Sequence, residues 1–78
     1  NAETGEGYSD ISIQTPDRIG MIIELKYADD GNLEKACAEA LNQIEEKKYA
    51  EGLRRRGTKK IIKYGIAFCE KECMVVMA

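Results

Sequence analysis

Histidine and tryptophan are absent from this 78-residue chain, and proline occurs once, at Pro16. Without an imidazole, Ser-His and Cys-His nucleophilic catalysis and any His-ligated metal centre are excluded within the chain. Whatever chemistry it performs falls to carboxylates, lysine, tyrosine or cysteine. Cysteine is sparse: Cys37, Cys69 and Cys73 form an odd set, read as free thiols in a reducing cytoplasm. Cys69 and Cys73 lack the second pair or the histidine that a zinc site needs. The closing apolar run, Met74–Ala78, is far too short to span a bilayer. No charged-then-apolar leader follows Asn1, so no signal peptide is read. Asn1-Ala2 reads as a tag remnant and the chain as an excised piece of a longer protein. With 44% apolar and 33% charged residues the balance is that of one globular domain over 1–78, neither disordered nor membrane-embedded.

Charge is unevenly distributed. Residues 1–46 carry Arg18, Lys26 and Lys35 against eleven acids, a balance of −8. Residues 47–64 carry Lys47, Lys48, Arg54, Arg55, Arg56, Lys59, Lys60 and Lys63 against Glu51, a balance of +7. Such a block is either a solvated helix end or a phosphate-contacting edge. A sequence pI near 5.1 is not that of a free-standing basic nucleic-acid binder.

The hydrophobic periodicity predicts four strands and one main helix. Gly5 and Gly7 mark residues 1–7 as a flexible entry. Tyr8 to Gln14 alternates, with Ile11 and Ile13 on one parity, as a half-buried strand does. Thr15-Pro16-Asp17-Arg18 is a turn. Ile19 to Tyr27 follows, and its Met21-Ile22-Ile23 run predicts a central strand covered on both faces. Asn32 is the expected N-cap of a helix running to about Lys48, with Leu33, Cys37, Ala40, Leu41 and Ile44 as its apolar stripe. Tyr49 to Arg56 extends it as a short basic turn, stopped by Gly57. Lys60 to Phe68 and Cys73 to Met77 form a closing hairpin. The order is β-β-α-β-β.

The chemistry concentrates on Asp10, Glu24 and Lys26. Glu24 and Lys26 are two apart on one strand and project from the same face. If the first two strands form a hairpin with a three- or five-residue loop, paired numbers sum to 34 and Asp10 falls opposite Glu24. A two-residue loop puts it opposite Leu25 instead. Two carboxylates face to face destabilise a plain sheet, and a divalent cation reverses the sign of that interaction. Oxygen donors suit Mg²⁺ or Mn²⁺. Such an ion with a neighbouring lysine is a coherent arrangement for phosphodiester hydrolysis. An ordinary surface pair, Glu24 with Lys26, is the competing reading of the same spacing.

Gly7-Tyr8-Ser9-Asp10, then Ile23-Glu24-Leu25-Lys26, a helix with Ala40-Leu41-Asn42-Gln43-Ile44 and Lys47-Lys48-Tyr49, and the closing Ile62-Lys63-Tyr64-Gly65-Ile66-Ala67-Phe68 together resemble the PD-(D/E)XK nuclease superfamily. In detail they are similar to the nuclease-like domain at the C-terminus of bacterial AAA-ATPase-like proteins of unknown function. The resemblance runs from about Gly7 to Val76. It implies an α/β, partial restriction-endonuclease-like core with a mixed sheet and one main helix. It also implies that Asp10 and Glu24 bind Mg²⁺ or Mn²⁺, that Lys26 is catalytic and that Gln43 lies near the active site. Tyr49 stands six residues from Gln43 where that superfamily's RecB-like branch has a tyrosine four away, and six residues turn about 600° onto another face. The superfamily core normally opens with a helix and a strand ahead of the Asp strand, and this chain starts after them. In a nuclease, Arg54, Arg55, Arg56, Lys59 and Lys60 would contact nucleic acid. An upstream ATPase-like domain of the same polypeptide is the other implied partner.

Three readings follow: a Mg²⁺-dependent nuclease domain, a non-catalytic nuclease-like module that binds nucleic acid or regulates its ATPase, and a fragment that completes its sheet by homodimerising or exchanging strands, compatible with either.

Overall fold

The structure, a computed structural model, describes residues 11–78 in full and, before them, only the backbone of residues 2–3 and 8–9. β1 (Ala2–Glu3) and β2 (Tyr8–Ser9) pair antiparallel as a two-stranded ribbon. Ala2 and Glu3 are therefore strand rather than flexible entry, and the strand expected over Tyr8–Gln14 is divided. The main sheet contains β3 (Ile11–Gln14), β4 (Ile19–Tyr27), β5 (Lys60–Cys69) and β6 (Glu72–Met77), in that spatial order. β3–β4 and β5–β6 are antiparallel and β4–β5 parallel, joined by α1 (Leu33–Glu46) and α2 (Tyr49–Arg55). This is the mixed α/β sheet expected, compatible with a partial restriction-endonuclease-like core.

The β3–β4 hairpin has the three-residue loop. Pro16 starts a type I turn in which Arg18 N–H donates to Thr15 O at 2.9 Å, and Thr15 N–H donates to Ile19 O at 2.8 Å. Arg18 then takes a left-handed conformation, φ 69°, the third residue that such loops require. The pairs Ile11–Ile23, Ser12–Ile22, Ile13–Met21 and Gln14–Gly20 all sum to 34, the register of the odd-loop reading.

Asn32 caps α1 by accepting from Lys35 N–H at 3.1 Å. The helical stretch is broken at Lys48, whose left-handed backbone (φ 57°, ψ 36°) turns the chain into α2. The basic segment is thus a second helix rather than an extension of the first. Two apolar clusters fix the direction of α1. Ala36 and Cys37, early in the helix, pack with Ala28 and Ala67 near the ends of β4 and β5. Ile44, late in the helix, packs with Ile22, Ala50 and Leu53. α1 therefore runs antiparallel to β4, as a crossover between parallel strands must.

Both helices lie on one face of the sheet, because both belong to the same β4–β5 connection. Gly20, Ile22, Glu24, Lys26 and Ala28 face them. Met21, Ile23, Leu25 and Tyr27 face the other way, beside Ile11, Ile13, Phe68, Val75 and Met77. That face is open: Leu25 is 40% and Met77 64% exposed. β4 is central, as its apolar run suggests, but covered on one face only. Among the described residues, no helix is long and apolar enough to cross a membrane.

Candidate active site

β4 carries the two described members of the acid-acid-lysine set. Its pleat sends Glu24 and Lys26 to the helix-covered face, about 7 Å apart along the strand. Glu24 is 4% exposed, among the most buried side chains of the molecule. A carboxylate is costly to hold there unless charge or hydrogen-bond donors compensate it. Lys26 is a third exposed, and its Nζ lies 3.9 Å from Glu39 Oε1 on α1. Beyond it opens a cavity of about 290 Å³ lined by Lys26, Ala28, Asp30, Lys35, Ala36 and Glu39. The cavity sits at the C-terminal end of β4, where open α/β sheets place their ligands. Asp30 at its rim accepts from Asn32 N–H at 3.0 Å and faces Lys35 Nζ at 3.6 Å. The Asn32 amide, with a smaller contribution from Lys35, holds the Asp30 carboxyl below its ordinary value.

Gln43 follows Glu39 by four residues, about 6 Å further along α1. Because α1 runs antiparallel to β4, that step descends from the level of Lys26 toward the level of Glu24. Gln43 is half-buried on this flank. Gln43 thus lies on the flank of α1 that also carries Glu39. Tyr49 opens α2 and packs against the Ile22–Ile44–Leu53 cluster, away from this flank. Asp10 lies outside the described residues. Over Ile11–Gln14 the hairpin pairs numbers that sum to 34.

Glu39 is a charged neighbour of Lys26 that sequence reasoning did not single out. Its signal was available: Glu39 and Gln43 share a helix flank at i, i+4 spacing, beside the apolar stripe. Arg18 is a second residue that sequence reasoning did not single out, and nothing local announces it. Its carbonyl accepts from Lys59 N–H at 2.9 Å and from Lys60 N–H at 3.4 Å, so the hairpin loop is tied to the start of β5. Arg54, Arg55, Arg56, Lys59 and Lys60 are all exposed. They gather at the N-terminal end of β4 and β5 rather than beside Lys26.

The donor chemistry fits a hard divalent ion. Among the described residues, no group of three or more carboxylates or thiols is close enough to cage a metal. Mg²⁺ does not need one, since it is commonly held by one or two carboxylates together with waters and substrate phosphates. Glu24 is the described carboxylate on the helix-covered face of β4.

No curated protein and no solved structure gives a significant match to the chain. The sequence profile of one family matches residues 1–78, the whole length. Members of that family generally use Mg²⁺ or Mn²⁺. With the Ile-Glu-Leu-Lys strand facing the glutamine-bearing helix, this match settles the family: the chain belongs to the PD-(D/E)XK nuclease superfamily.

Proposed function

We propose that the domain is a metal-dependent nuclease that hydrolyses phosphodiester bonds, with Asp10 and Glu24 as the metal-binding acids, Lys26 as the catalytic cation and Gln43 beside them. The observation that carries this reading is the contrast between two residues on one strand face. Glu24 is buried at 4% exposure, while Lys26, two residues on, opens into the cavity. A buried acid next to a solvent-accessible ammonium provides an anionic seat for a cation and a cationic contact for a phosphate oxygen.

Hydrolysis adds one water across one P–O bond, hydroxide to phosphorus and a proton to the departing oxygen. Negative charge builds on the non-bridging oxygens as the new bond forms. The Lys26 ammonium, held toward the cavity by Glu39, donates a hydrogen bond to one of them and stabilises that charge. Glu24 orients the attacking water through its second oxygen, and the Gln43 amide donates to or accepts from the same water. A bound Mg²⁺ or Mn²⁺, seated on Asp10 and Glu24, would supply Lewis-acid polarisation and a water of lowered pKa. The test is cleavage of labelled DNA and RNA strands with Mg²⁺ or Mn²⁺. The expected result is divalent-dependent cleavage, reduced at least about a hundredfold in Glu24→Gln and Lys26→Ala. Cleavage that survives in both variants contradicts the assignment.

A further inference from the structure

We infer that the cations at the N-terminal end of β4 and β5 form a distal phosphate rail, holding the same nucleic-acid strand about five nucleotides from the bond at Glu24 and Lys26. The inference rests on the nuclease reading and adds a substrate-length requirement to it.

Three observations carry it. The first is composition in space. The fold adds Arg18, from a different part of the sequence, to Arg54, Arg55, Arg56, Lys59 and Lys60 through the Arg18 carbonyl bonds to Lys59 and Lys60. All six side chains are exposed, and the acids on the same two segments are Asp17 and Glu51 alone. A patch this one-signed on a chain of net charge −2 repels itself and attracts a polyanion.

The second is the backbone of Arg18. Its φ of 69° belongs to the left-handed region, where asparagine or glycine sits with less strain. A long cation occupies the position that the hairpin loop would fill more easily with either.

The third is alignment with the site. α2 lies on the same sheet face as Glu24, since Leu53 Cδ1 comes within 3.0 Å of where a side chain on Gly20 would begin. Lys60 pairs with Ile19, and Gly65 with Glu24. Five residues of strand separate the two levels, about 16 Å at ~3.3 Å per residue. Phosphates along one strand of a duplex recur every ~3.4 Å, so the rail meets a backbone about five phosphates from the site. A duplex shorter than about five base pairs cannot reach both ends and a longer one can.

The test is fluorescence anisotropy in EDTA with end-labelled hairpin duplexes whose stems run from about three to about twelve base pairs, repeated over a salt series. The expected result is a step of roughly tenfold in affinity as stem length passes about five base pairs. Arg18→Asn and the double variant Arg54→Gln, Arg55→Gln remove the step and lower the salt slope by about 0.9 for each cation lost. Arg18→Asn does so while its thermal midpoint stays the same or rises, because asparagine tolerates the left-handed backbone. Affinity that does not change with length, or a step that persists in both variants, overturns the rail. If the step is present and no strand of any length is cleaved with Mg²⁺, the rail stands and the nuclease reading falls. If short and long strands are cleaved equally fast, the nuclease reading stands and the rail falls.

Discussion

Replacing Gly65 by alanine tests how α1 is seated over the site. A Cβ at this position would lie 2.6 Å from the Cys37 carbonyl oxygen, 3.0 Å from Leu41 Cγ and 3.3 Å from Ala40 Cβ, all on α1. Carbon–oxygen contacts relax at ~3.3 Å or beyond, so the helix must retreat by about 0.7 Å. The obstructing atom is backbone, which cannot swing aside as a side chain does. Overpacking of this kind costs about 1–3 kcal/mol. The lower entropy of the unfolded alanine chain offsets about 0.4–1 kcal/mol of it. The net expectation is a loss of about 1–2 kcal/mol, against a total of about 4–12 kcal/mol for a chain of this length. The thermal midpoint should fall by roughly 5–15 °C. Gly65 also stands opposite Glu24 in the sheet, and α1 carries Glu39 and Gln43. Cleavage should therefore drop more than stability does, because displacements near 1 Å can cost about a hundredfold in rate. Gly52→Ala is the matched control. In α2 its new Cβ meets only Arg56 Nη2, at 3.7 Å, so the same chemical change should stabilise by about 0.5–1 kcal/mol. Calorimetric or denaturant unfolding of both variants decides the matter. A Gly65→Ala protein with an unchanged midpoint, or a Gly52→Ala protein as damaged as Gly65→Ala, refutes the close seating of α1 on β5.

Three further outcomes are expected. Lys48→Gly relieves the left-handed backbone between α1 and α2 and should raise stability by about 0.5–1 kcal/mol in urea unfolding. Asp30 is held ionised by the Asn32 amide first and by Lys35 after it, so its folded value lies below the ordinary 3.8. Its contribution to stability is present above that ordinary value and disappears as pH falls through the lower folded one. A pH series of unfolding midpoints should therefore show a smaller acid loss for Asp30→Asn than for the parent. Glu39→Gln breaks a partly exposed ion pair and should change stability by less than about 1 kcal/mol. It should also slow cleavage several-fold at unchanged KM, since it positions Lys26 rather than binding substrate. A raised KM with full kcat would place Glu39 in binding instead.

Much of this architecture is readable in the residues. Ile19–Tyr27 stands as a strand over the bounds its apolar run and flanking turns suggest, and Asn32 caps the helix as its residue type predicts. The hairpin register follows from loop arithmetic, because side-chain period and loop length together leave few alternatives. Glu24 and Lys26 share a face for the same reason. Other features depend on tertiary geometry. The helix break at Lys48 is a left-handed residue that is not glycine, so composition gives no sign of it. The openness of one sheet face follows from both helices belonging to one crossover, whereas an apolar run such as Met21-Ile22-Ile23 implies cover on both sides. Arg18 reaches the basic group through backbone bonds across about forty residues, which no local pattern encodes. Tyr49 packs against the Ile22–Ile44–Leu53 cluster from α2, and the break at Lys48 removes the continuous helical phase that would relate it to Gln43. Asp10, the third member of the proposed set, lies outside the described residues.

The central claim is that Glu24 and Asp10 together seat a divalent ion beside Lys26. Isothermal calorimetry of Mn²⁺ binding tests it most directly, on the parent chain and on Asp10→Ala, Glu24→Gln and Arg54→Gln, with circular dichroism to verify folding. The account predicts one site in the parent, retained in Arg54→Gln and lost in both carboxylate variants. A folded parent that binds no Mn²⁺, or binding that survives the loss of either acid, contradicts it.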